Sequence, residues 1–224
     1  MNIIIFGPPG AGKGTQSSYI VSKYNLKQLS TGDLLRKEIA NKTELGKKIS
    51  EIINGGNLVS DSIVATLVEN IISNDTYKNQ IIFDGYPRNL NQVKDLDQLL
   101  KKYKQKIDLV LNLKVSLDIV KKRISGRSIC FKCGKIYNKF FNPAPTNSNC
   151  CSEKNLKKRD DDNVEVATKR YQTYEKETEP ALRYQDEPDE NVERTAADEV
   201  GEELGVFLTI LLLKFMFMTS FMSI

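Results

Sequence analysis

Residues 7–15 form a glycine-rich segment whose composition and position suit the binding of phosphate groups. The segment reads Gly-Pro-Pro-Gly-Ala-Gly-Lys-Gly-Thr, follows an apolar run at residues 3–6 and precedes a helix predicted over residues 13–24. Glycines allow backbone N–H groups to turn inward around phosphate oxygens, the helix start adds the positive end of its dipole, and Lys13 adds a point charge. The residues expected to contact a polyphosphate are Gly10, Ala11, Gly12, Lys13, Gly14 and Thr15.

A carboxylate stands where a second apolar run ends. Ile81, Ile82 and Phe83 predict a buried strand, and Asp84 follows them directly. Because a buried carboxylate without a partner is costly, we expect Asp84 to have a cationic partner. A magnesium ion reached through water would be such a partner, and a helix cap or a structural ion pair is the alternative.

The composition excludes several kinds of chemistry. The chain has no histidine, so imidazole cannot act as a general base or metal ligand. The net charge is +4, but residues 183–224 hold nine acidic and three basic residues, so the preceding chain carries +10. Such a charge suits polyanions, and without a basic run interleaved with aromatic residues we expect a pocket for small anions and no nucleic-acid partner. The N-terminus lacks the pattern of a secretory signal, which favours a cytoplasmic protein.

Predicted strands and helices alternate along the chain. Strands are predicted at residues 3–6, 81–83 and 109–113, and helices at residues 13–24, 31–40, 45–53, 60–72, 90–103 and 164–179. This alternation predicts an α/β fold with a doubly wound parallel sheet, whose ligands lie at the carboxyl ends of the strands. Residues 127–163, rich in Gly, Pro, Asn and Cys, interrupt the pattern and predict a small inserted subdomain.

The glycine-rich segment is also the way in which adenylate kinases begin, and other segments resemble that family. The matching segments are Leu29–Arg36, Gly56–Val59, Phe83–Arg88 with Gln92, Arg123 with Arg127, Arg159–Asn163 and Arg170. The resemblance covers about residues 1–182 and is closest to the long-lid bacterial type within the nucleoside monophosphate kinases. So many motifs in the same order make it highly specific.

The resemblance implies a P-loop NTPase-type sheet with two insertions, an AMP-binding helical segment and a lid. The core would comprise residues 1–29, 60–126 and 164–182, the AMP-binding segment residues 30–59, and the lid residues 127–163. It also implies a monomer whose lid and AMP-binding segment close over both substrates to exclude water.

The implied activity is reversible phosphoryl transfer from Mg·ATP to AMP, which gives two ADP. Two nucleotides bring about five or six negative charges into one cleft, so the protein must position them and neutralise their charge. The implied catalytic residues are Lys13, Arg88, Arg123, Arg127, Arg159 and Arg170, and Arg127 also belongs to the ATP site. The implied AMP contacts are Thr31, Arg36, Asn57, Leu58, Val59, Gly85, Tyr86, Pro87, Arg88, Gln92, Arg159 and Arg170.

Base choice follows from the second nucleotide site. By resemblance, Thr31 and Gln92 read adenine, whereas pyrimidine-specific relatives usually carry alanine at the threonine position. AMP is therefore favoured over UMP or CMP. Two alternatives stay open on the sequence alone: a pyrimidine nucleoside monophosphate kinase, and a catalytically impaired nucleotide-binding module that is tethered by its C-terminal tail.

The four cysteines lie within residues 130–151, a grouping more typical of a metal site than of a disulfide framework. By resemblance, Cys130, Cys133 and Cys150 match the lid zinc ligands of many bacterial members, and Glu153 stands at the position of the fourth ligand. Cys151 is the alternative, although consecutive residues rarely both reach one tetrahedral ion. We expect a structural zinc that stabilises the lid, with a metal-free lid as the alternative.

Beyond Leu182 the resemblance ends, and we expect no final strand. Residues 186–203 are strongly acidic, and residues 206–224 are apolar apart from Lys214. This tail is open to three interpretations: an altered terminus, a divergent helix packed on the core, or a membrane tail, against which the acidic flank argues. We expect a chain truncated after Leu182 to remain soluble and folded.

Overall fold

The structure is a computed structural model in which residues 1–42, 44–54, 58–146, 148–159, 161–184 and 193–197 are described. Its strands are β1 Ile3–Phe6, β2 Lys27–Ser30, β3 Ile81–Asp84, β4 Leu109–Leu113, β5 Arg127–Cys130, β6 Ile136–Asn138, β7 Leu156–Lys157 and β8 Glu193–Ala197. The central sheet has the order β2-β3-β1-β4-β8, and every neighbouring pair in it is parallel. The strands β6, β5 and β7 form a separate antiparallel sheet.

Helices connect the parallel strands. They are α1 Lys13–Tyr24, α2 Thr31–Ala40, α3 Glu44–Asn54, α4 Asp61–Ile72, α5 Leu90–Lys102, α6 Leu117–Gly126, α7 Val164–Thr173 and α8 Glu179–Tyr184. A π-helical turn at Tyr174–Thr178 joins α7 to α8. The predicted α/β fold with a parallel central sheet is confirmed.

The two faces of the central sheet carry separate hydrophobic clusters. Ile4 and Phe83 belong to a cluster with residues of α2, α3, α4 and α5, whereas Ile3 and Ile5 pack with Ile20 of α1. Because both faces of β1 are covered, its sequence is apolar at every position. This packing fixes the carboxyl ends of β1 and β3, from which the glycine-rich segment and Asp84 emerge.

Several elements are absent from the sequence prediction or differ from it. The strand β2 lies at the edge of the sheet beside β3, and its polar residues Lys27 and Gln28 conceal it from a search for apolar runs. The helix α6 is not predicted separately. The single helix predicted over residues 164–179 is instead α7 followed by the π-helical turn.

The expectation that no strand follows residue 182 is wrong. The strand β8 pairs in parallel with β4, in a register that sets Leu109 opposite Glu193 and Leu113 opposite Ala197. Its sequence, Glu-Arg-Thr-Ala-Ala, contains no apolar run, and charged residues are common in strands at the edge of a sheet. The apolar stretch at residues 206–224 lies outside the described residues, as do the three interpretations made of it. Within the described part of the chain, no helix has the length and apolar character to cross a membrane.

The position of β8 reverses the expectation for truncation. A chain that ends after Leu182 lacks the backbone partners of β4 along its outer edge. Since each backbone hydrogen bond contributes about 1 kcal/mol, we expect a loss of about 2–5 kcal/mol and a melting temperature lower by about 5–15 °C. Thermal unfolding measures this loss. A chain that ends after residue 204 is the control, because it keeps β8 and removes only the apolar stretch; equal stability of the two shortened chains would contradict the prediction.

Candidate active site

A large cleft opens at the carboxyl ends of β1 and β3. Its volume is about 840 Å³, and its lining comes from the glycine-rich segment, the loop after β3, the start of α2, the antiparallel sheet and α7. This is the edge of the sheet at which the alternating fold predicts a ligand. All six predicted catalytic residues line the cleft: Lys13, Arg88, Arg123, Arg127, Arg159 and Arg170.

The glycine-rich segment adopts a backbone that side chains would obstruct. Gly7 has a φ of 144°, and a Cβ atom there would lie 2.8 Å from the carbonyl oxygen of Leu113. Gly12 precedes α1 with a φ of 97° and has no side chain with which to cap the helix. The first N–H groups of α1 therefore remain available to an anion, which the helix dipole also favours.

Lys13 is folded back on its own loop. Its Nζ donates to the carbonyl oxygens of Gly7 at 2.6 Å and Pro8 at 2.9 Å. Burial lowers the pKa of Lys13 to about 8, the nearby Asp84 partly opposes this shift, and Arg88 adds to it. Burial therefore makes the ammonium form of Lys13 less favourable than that of an exposed lysine.

Asp84 ends β3 and is 8% exposed. Burial raises the pKa of Asp84, whereas the charge of Lys13 and a hydrogen bond from Gln28 Nε2 to Asp84 Oδ2, at 3.0 Å, act in the opposite direction. Sequence reasoning missed Gln28 because it missed β2. Gln28 lies opposite Ile82 in the sheet, on the apolar face that packs against α1. A polar residue on this face is the signal that could have identified it.

The predicted base contacts surround a smaller pocket beside the main cleft. This pocket is lined by Thr31, Leu35, Leu58, Val59, Val64, Gly85, Arg88 and Gln92. The Thr31 hydroxyl donates to the Gly85 carbonyl oxygen at 2.7 Å, so its lone pairs are left as acceptors. Asn57 lies outside the described residues. The side chain of Tyr86 is 1% exposed and belongs to the hydrophobic core, so it does not line either pocket.

Arg88 is held beneath the cleft by the loop that follows β3. Its Nε donates to the Gly85 carbonyl oxygen at 2.7 Å, and its own carbonyl oxygen accepts from the Thr178 hydroxyl at 2.7 Å. Burial, and then the positive charge of Arg170, lower the pKa of Arg88 to about 10. Burial also lowers the pKa of Arg159 to about 10, and Arg127 and Arg36 contribute. Cations therefore repel one another across the cleft.

Other arginines are paired with carboxylates. Arg36 pairs with Asp33, and Arg127 pairs with both oxygens of Asp162, the Nε–Oδ2 distance being 2.9 Å.

Arg170 connects two predicted segments. One guanidinium nitrogen is 2.6 Å from Asp161 Oδ2, and the other donates to the carbonyl oxygen of Ile53, in the last turn of α3, at 2.9 Å. A single side chain of α7 thus contacts Asp161, in the segment predicted to be the lid, and Ile53, in the segment predicted to bind AMP.

Arg123 lies between the glycine-rich segment and an aromatic ring. It donates to the Ala11 carbonyl oxygen at 2.8 Å, and its guanidinium carbon is 5.8 Å from the centre of the Phe141 ring. Both side chains line the cleft, and Phe141 is 48% exposed. A planar cation and an exposed ring at one site suit the stacking of a nucleobase. Sequence reasoning missed Phe141; the signal available was its position in the insertion soon after Arg123 and Arg127.

The four cysteines form one cluster, in which all their sulfur atoms lie within 4.8 Å of one another. The sulfur atoms of Cys133 and Cys151 are 3.4 Å apart, and those of Cys130 and Cys150 are 4.0 Å apart. A hydrogen bond with the Tyr137 hydroxyl lowers the pKa of Cys151 to about 7, which favours a thiolate. Glu153 is exposed and is not part of the cluster, so the structure favours Cys151 over Glu153 as the fourth member.

A tight turn allows two consecutive cysteines to enter the cluster. The Asn155 side chain donates to the Cys150 carbonyl oxygen at 2.9 Å, and the Cys151 N–H donates to the Ser148 hydroxyl at 2.9 Å. These bonds hold the backbone so that both thiols face the same point. From the sequence alone we expect strain when two consecutive residues bind one ion, because the sequence does not reveal this turn.

A parallel sheet with a phosphate-binding loop, a buried carboxylate and converging arginines defines the class of P-loop phosphotransferases. Comparison with known proteins gives the family. The family model described as adenylate kinase matches residues 5–189. The adenylate kinase of Pelagibacter ubique is 46% identical over 202 residues, which cover 90% of this chain and 95% of that protein. The chain belongs to the adenylate kinase family.

Two further relatives support the same conclusion. The adenylate kinase of Fervidobacterium nodosum is 43% identical over 186 residues, covering 82% of this chain and 85% of the relative. The adenylate kinase of Methanothrix thermoacetophila is 42% identical over 186 residues, with coverage of 82% and 86%. The family match extends past residue 182, where the sequence prediction ends the resemblance.

The lowered pKa of Lys13 predicts that nucleotide affinity depends on pH. Bound phosphates favour the ammonium form, so binding above pH 8 requires the uptake of a proton. We expect the affinity for Mg·ATP to fall above pH 8 with a slope that approaches tenfold per pH unit. Calorimetric titrations in buffers of different protonation enthalpy measure both the affinity and the proton uptake. The Lys13→Arg variant, which stays charged, should bind with little pH dependence, and equal slopes for the two proteins would contradict the assignment.

The same pKa has the opposite consequence for the empty fold. Between pH 8 and pH 10.5 the unfolded chain keeps its Lys13 proton and the folded chain loses it. The contribution of Lys13 to stability therefore becomes more favourable as the pH rises through this range.

Proposed function

We propose that this protein catalyses reversible phosphoryl transfer from Mg·ATP to AMP, giving two ADP. The observation that carries the proposal is the single cleft in which the phosphate-binding loop, Asp84 and the six predicted catalytic residues meet. ATP would place its triphosphate on the loop at the start of α1. AMP would place its base in the smaller pocket and its phosphate at Arg88 and Arg36.

The electrostatics of the empty cleft support this proposal. Burial and mutual repulsion lower the pKa values of Lys13, Arg88 and Arg159, so the cleft concentrates positive charge that its own carboxylates do not balance. Two nucleotides would supply about five or six negative charges. Phosphoryl transfer depends on such fixed charges because they stabilise the transferring group without rearranging.

Asp84 has the features of a carboxylate that holds magnesium through water. It lines the cleft beside the phosphate-binding loop, and Gln28 donates to only one of its oxygens. A Cβ atom at Gly14 would lie 3.6 Å from Asp84 Oδ2, so the glycine leaves the approach to the carboxylate open. Asp84 would hold, through water, the magnesium ion that accompanies ATP, and that ion would supply positive charge to the phosphate groups.

The residues around the smaller pocket favour AMP as the acceptor. Thr31 presents a hydroxyl acceptor, Gln92 presents an amide, and both contact the pocket directly. These groups are complementary to the amino group and ring nitrogens of adenine. Thr31 also stands where pyrimidine-specific relatives usually carry alanine, which makes UMP and CMP weaker candidates.

Closure over the substrates would assemble the site. The pairs Arg127–Asp162 and Arg170–Asp161 hold two arginines beside the cleft, ready to close over the transferring group. Exclusion of water would strengthen their interaction with phosphate and prevent hydrolysis. The division into core, AMP-binding segment and lid belongs to this proposal, as do a monomeric state and a cytoplasmic location.

We also propose that the cysteine cluster binds a structural zinc ion. A tetrahedral zinc with bonds of about 2.3 Å to sulfur sets its sulfur atoms about 3.8 Å apart. Two of the separations, 3.4 and 4.0 Å, bracket that value, all four sulfur atoms lie within 4.8 Å of one another, and all four cysteines are free thiols. With all four positions taken by protein, such a site would hold the lid strands together and take no part in the chemistry.

The phosphotransferase proposal predicts large effects at two residues. The variants Lys13→Ala and Arg88→Ala should each lower kcat by at least about 10²-fold, the scale expected when a fixed charge is removed from a transition state. The exposed Lys23, also on α1, gives the control Lys23→Ala, whose activity should remain near that of the unchanged protein.

A coupled assay with Mg·ATP and AMP, UMP or CMP tests the same proposal in the unchanged protein. We expect the highest kcat/KM for AMP. Near-normal activity in either site variant, or a preference for a pyrimidine nucleotide, would count against the assigned site.

The zinc proposal predicts about one zinc ion per chain. The variant Cys130→Ser/Cys133→Ser should lose the metal and several degrees of melting temperature. The fourth ligand is tested by a matched pair: Cys151→Ser should lower zinc content, whereas Glu153→Ala should not. Elemental analysis and thermal unfolding are the measurements. Retention of zinc in Cys151→Ser with loss in Glu153→Ala would assign the site to Glu153 instead.

A further inference from the structure

The amide group of Gln92 is held between two partners of opposite hydrogen-bonding character. Its Oε1 accepts from the backbone N–H of Arg88 at 2.8 Å, and its Nε2 donates to Asp61 Oδ1 at 2.7 Å. Gln92 is 2% exposed, so water has little access to either atom. A backbone N–H can only donate and an ionised carboxylate can only accept. The amide therefore has a single satisfactory orientation.

A second amide is held by Asp61 in the same way. The Asn89 side chain accepts from the Gln92 N–H at 2.8 Å through Oδ1 and donates to Asp61 Oδ1 at 3.0 Å through Nδ2. Asp61 is the first residue of α4, and Asn89 caps α5. One carboxylate oxygen thus joins the starts of two helices and receives both amides.

The orientation of Gln92 decides what the small pocket presents to a ligand. After these two hydrogen bonds, the Gln92 amide retains one N–H donor on Nε2 and one lone pair on Oε1, and the position of each is fixed. The hydroxyl of Thr31, which donates to Gly85, adds a further acceptor. A 6-amino purine offers a donor at C6 and acceptors at its ring nitrogens, whereas a 6-oxo purine offers an acceptor at C6 and would place oxygen against oxygen.

We propose that Asp61 is a positioning residue that determines specificity: by fixing the orientation of the Gln92 amide, it makes the site select a 6-amino purine over a 6-oxo purine. The proposal rests on the proposed function, because it takes the small pocket to be the site of the AMP base. Asp61 acts through Gln92. A role confined to stabilising α4 would lower activity with every acceptor equally.

The test compares AMP with IMP, which differ at C6 of the purine. The quantity measured is kcat/KM for AMP divided by kcat/KM for IMP, at saturating Mg·ATP. We expect this ratio to fall at least tenfold in Asp61→Ala, because the amide then loses the acceptor that holds its Nε2, keeps only the hydrogen bond from the Arg88 N–H, and can rotate to donate to the 6-oxo group. Asp61→Ser serves the same purpose and keeps a residue that favours the start of a helix. Since both acceptors are assayed on one preparation, the ratio does not depend on how much of the variant is folded.

Two control variants separate orientation from stability. Asp61→Asn keeps a carbonyl oxygen able to accept both amides, so its ratio should stay within about threefold of the unchanged protein. Asp118→Ala removes an exposed acid from the first turn of α6 and should leave the ratio unchanged.

A double variant tests whether Asp61 acts through Gln92. Gln92→Ala alone should lower the ratio, and adding Asp61→Ala to it should lower the ratio no further. A ratio that is unchanged in Asp61→Ala and Asp61→Ser while Gln92→Ala lowers it would overturn the role of Asp61 and leave the base site intact. An unchanged ratio in Gln92→Ala would overturn both the role of Asp61 and the assignment of the base site. Absence of AMP phosphorylation by the unchanged protein would overturn the proposed function itself.

Discussion

Positive charge concentrated at the carboxyl ends of two strands is the constraint on which the rest of this structure depends. Lys13, Arg88 and Arg159 have lowered pKa values because burial and mutual repulsion disfavour their charged forms. The fold compensates with groups that anions can displace: loop carbonyl oxygens hold Lys13, and carboxylates hold Arg127 and Arg170. The carboxylates, Asp161 and Asp162, lie far along the chain from Lys13, so their segment and α7 must lie beside the phosphate-binding loop.

Much of the fold and cleft could be predicted from the sequence, because the signals are local. Buried strands such as β1 are apolar at every position, and the phosphate-binding loop has a fixed spacing of glycines and lysine. The strands β2 and β8 could not be predicted in this way because they lie at the sheet edges and contain polar residues. Their pairing with β3 and β4 depends on the whole sheet, which no short window of sequence contains.

The site residues that could not be predicted from the sequence were missed for a different physical reason. Gln28 and Asp61 would not bind a nucleotide directly; each forms a hydrogen bond with a residue that would, Gln28 with Asp84 and Asp61 with Gln92. Such bonds depend on which side chains the tertiary structure brings together. Cys151 is a related case, because its place in the thiol cluster depends on the turn that Asn155 stabilises. Spacing identifies the groups that would bind nucleotides, but it does not identify Gln28 and Asp61, which orient two of them.

The two hydrogen bonds of Arg170 have a consequence for the timing of substrate binding. One guanidinium group joins Asp161 to the carbonyl oxygen of Ile53 at the end of α3. If an incoming phosphate group draws Arg170 away, its hydrogen bonds to the lid and to the AMP-binding segment of the proposed mechanism break together. The first nucleotide to bind would then relieve a restraint that the second no longer has to break. Cooperation between the two substrates would thus need no relay through the core, because a single side chain touches both segments.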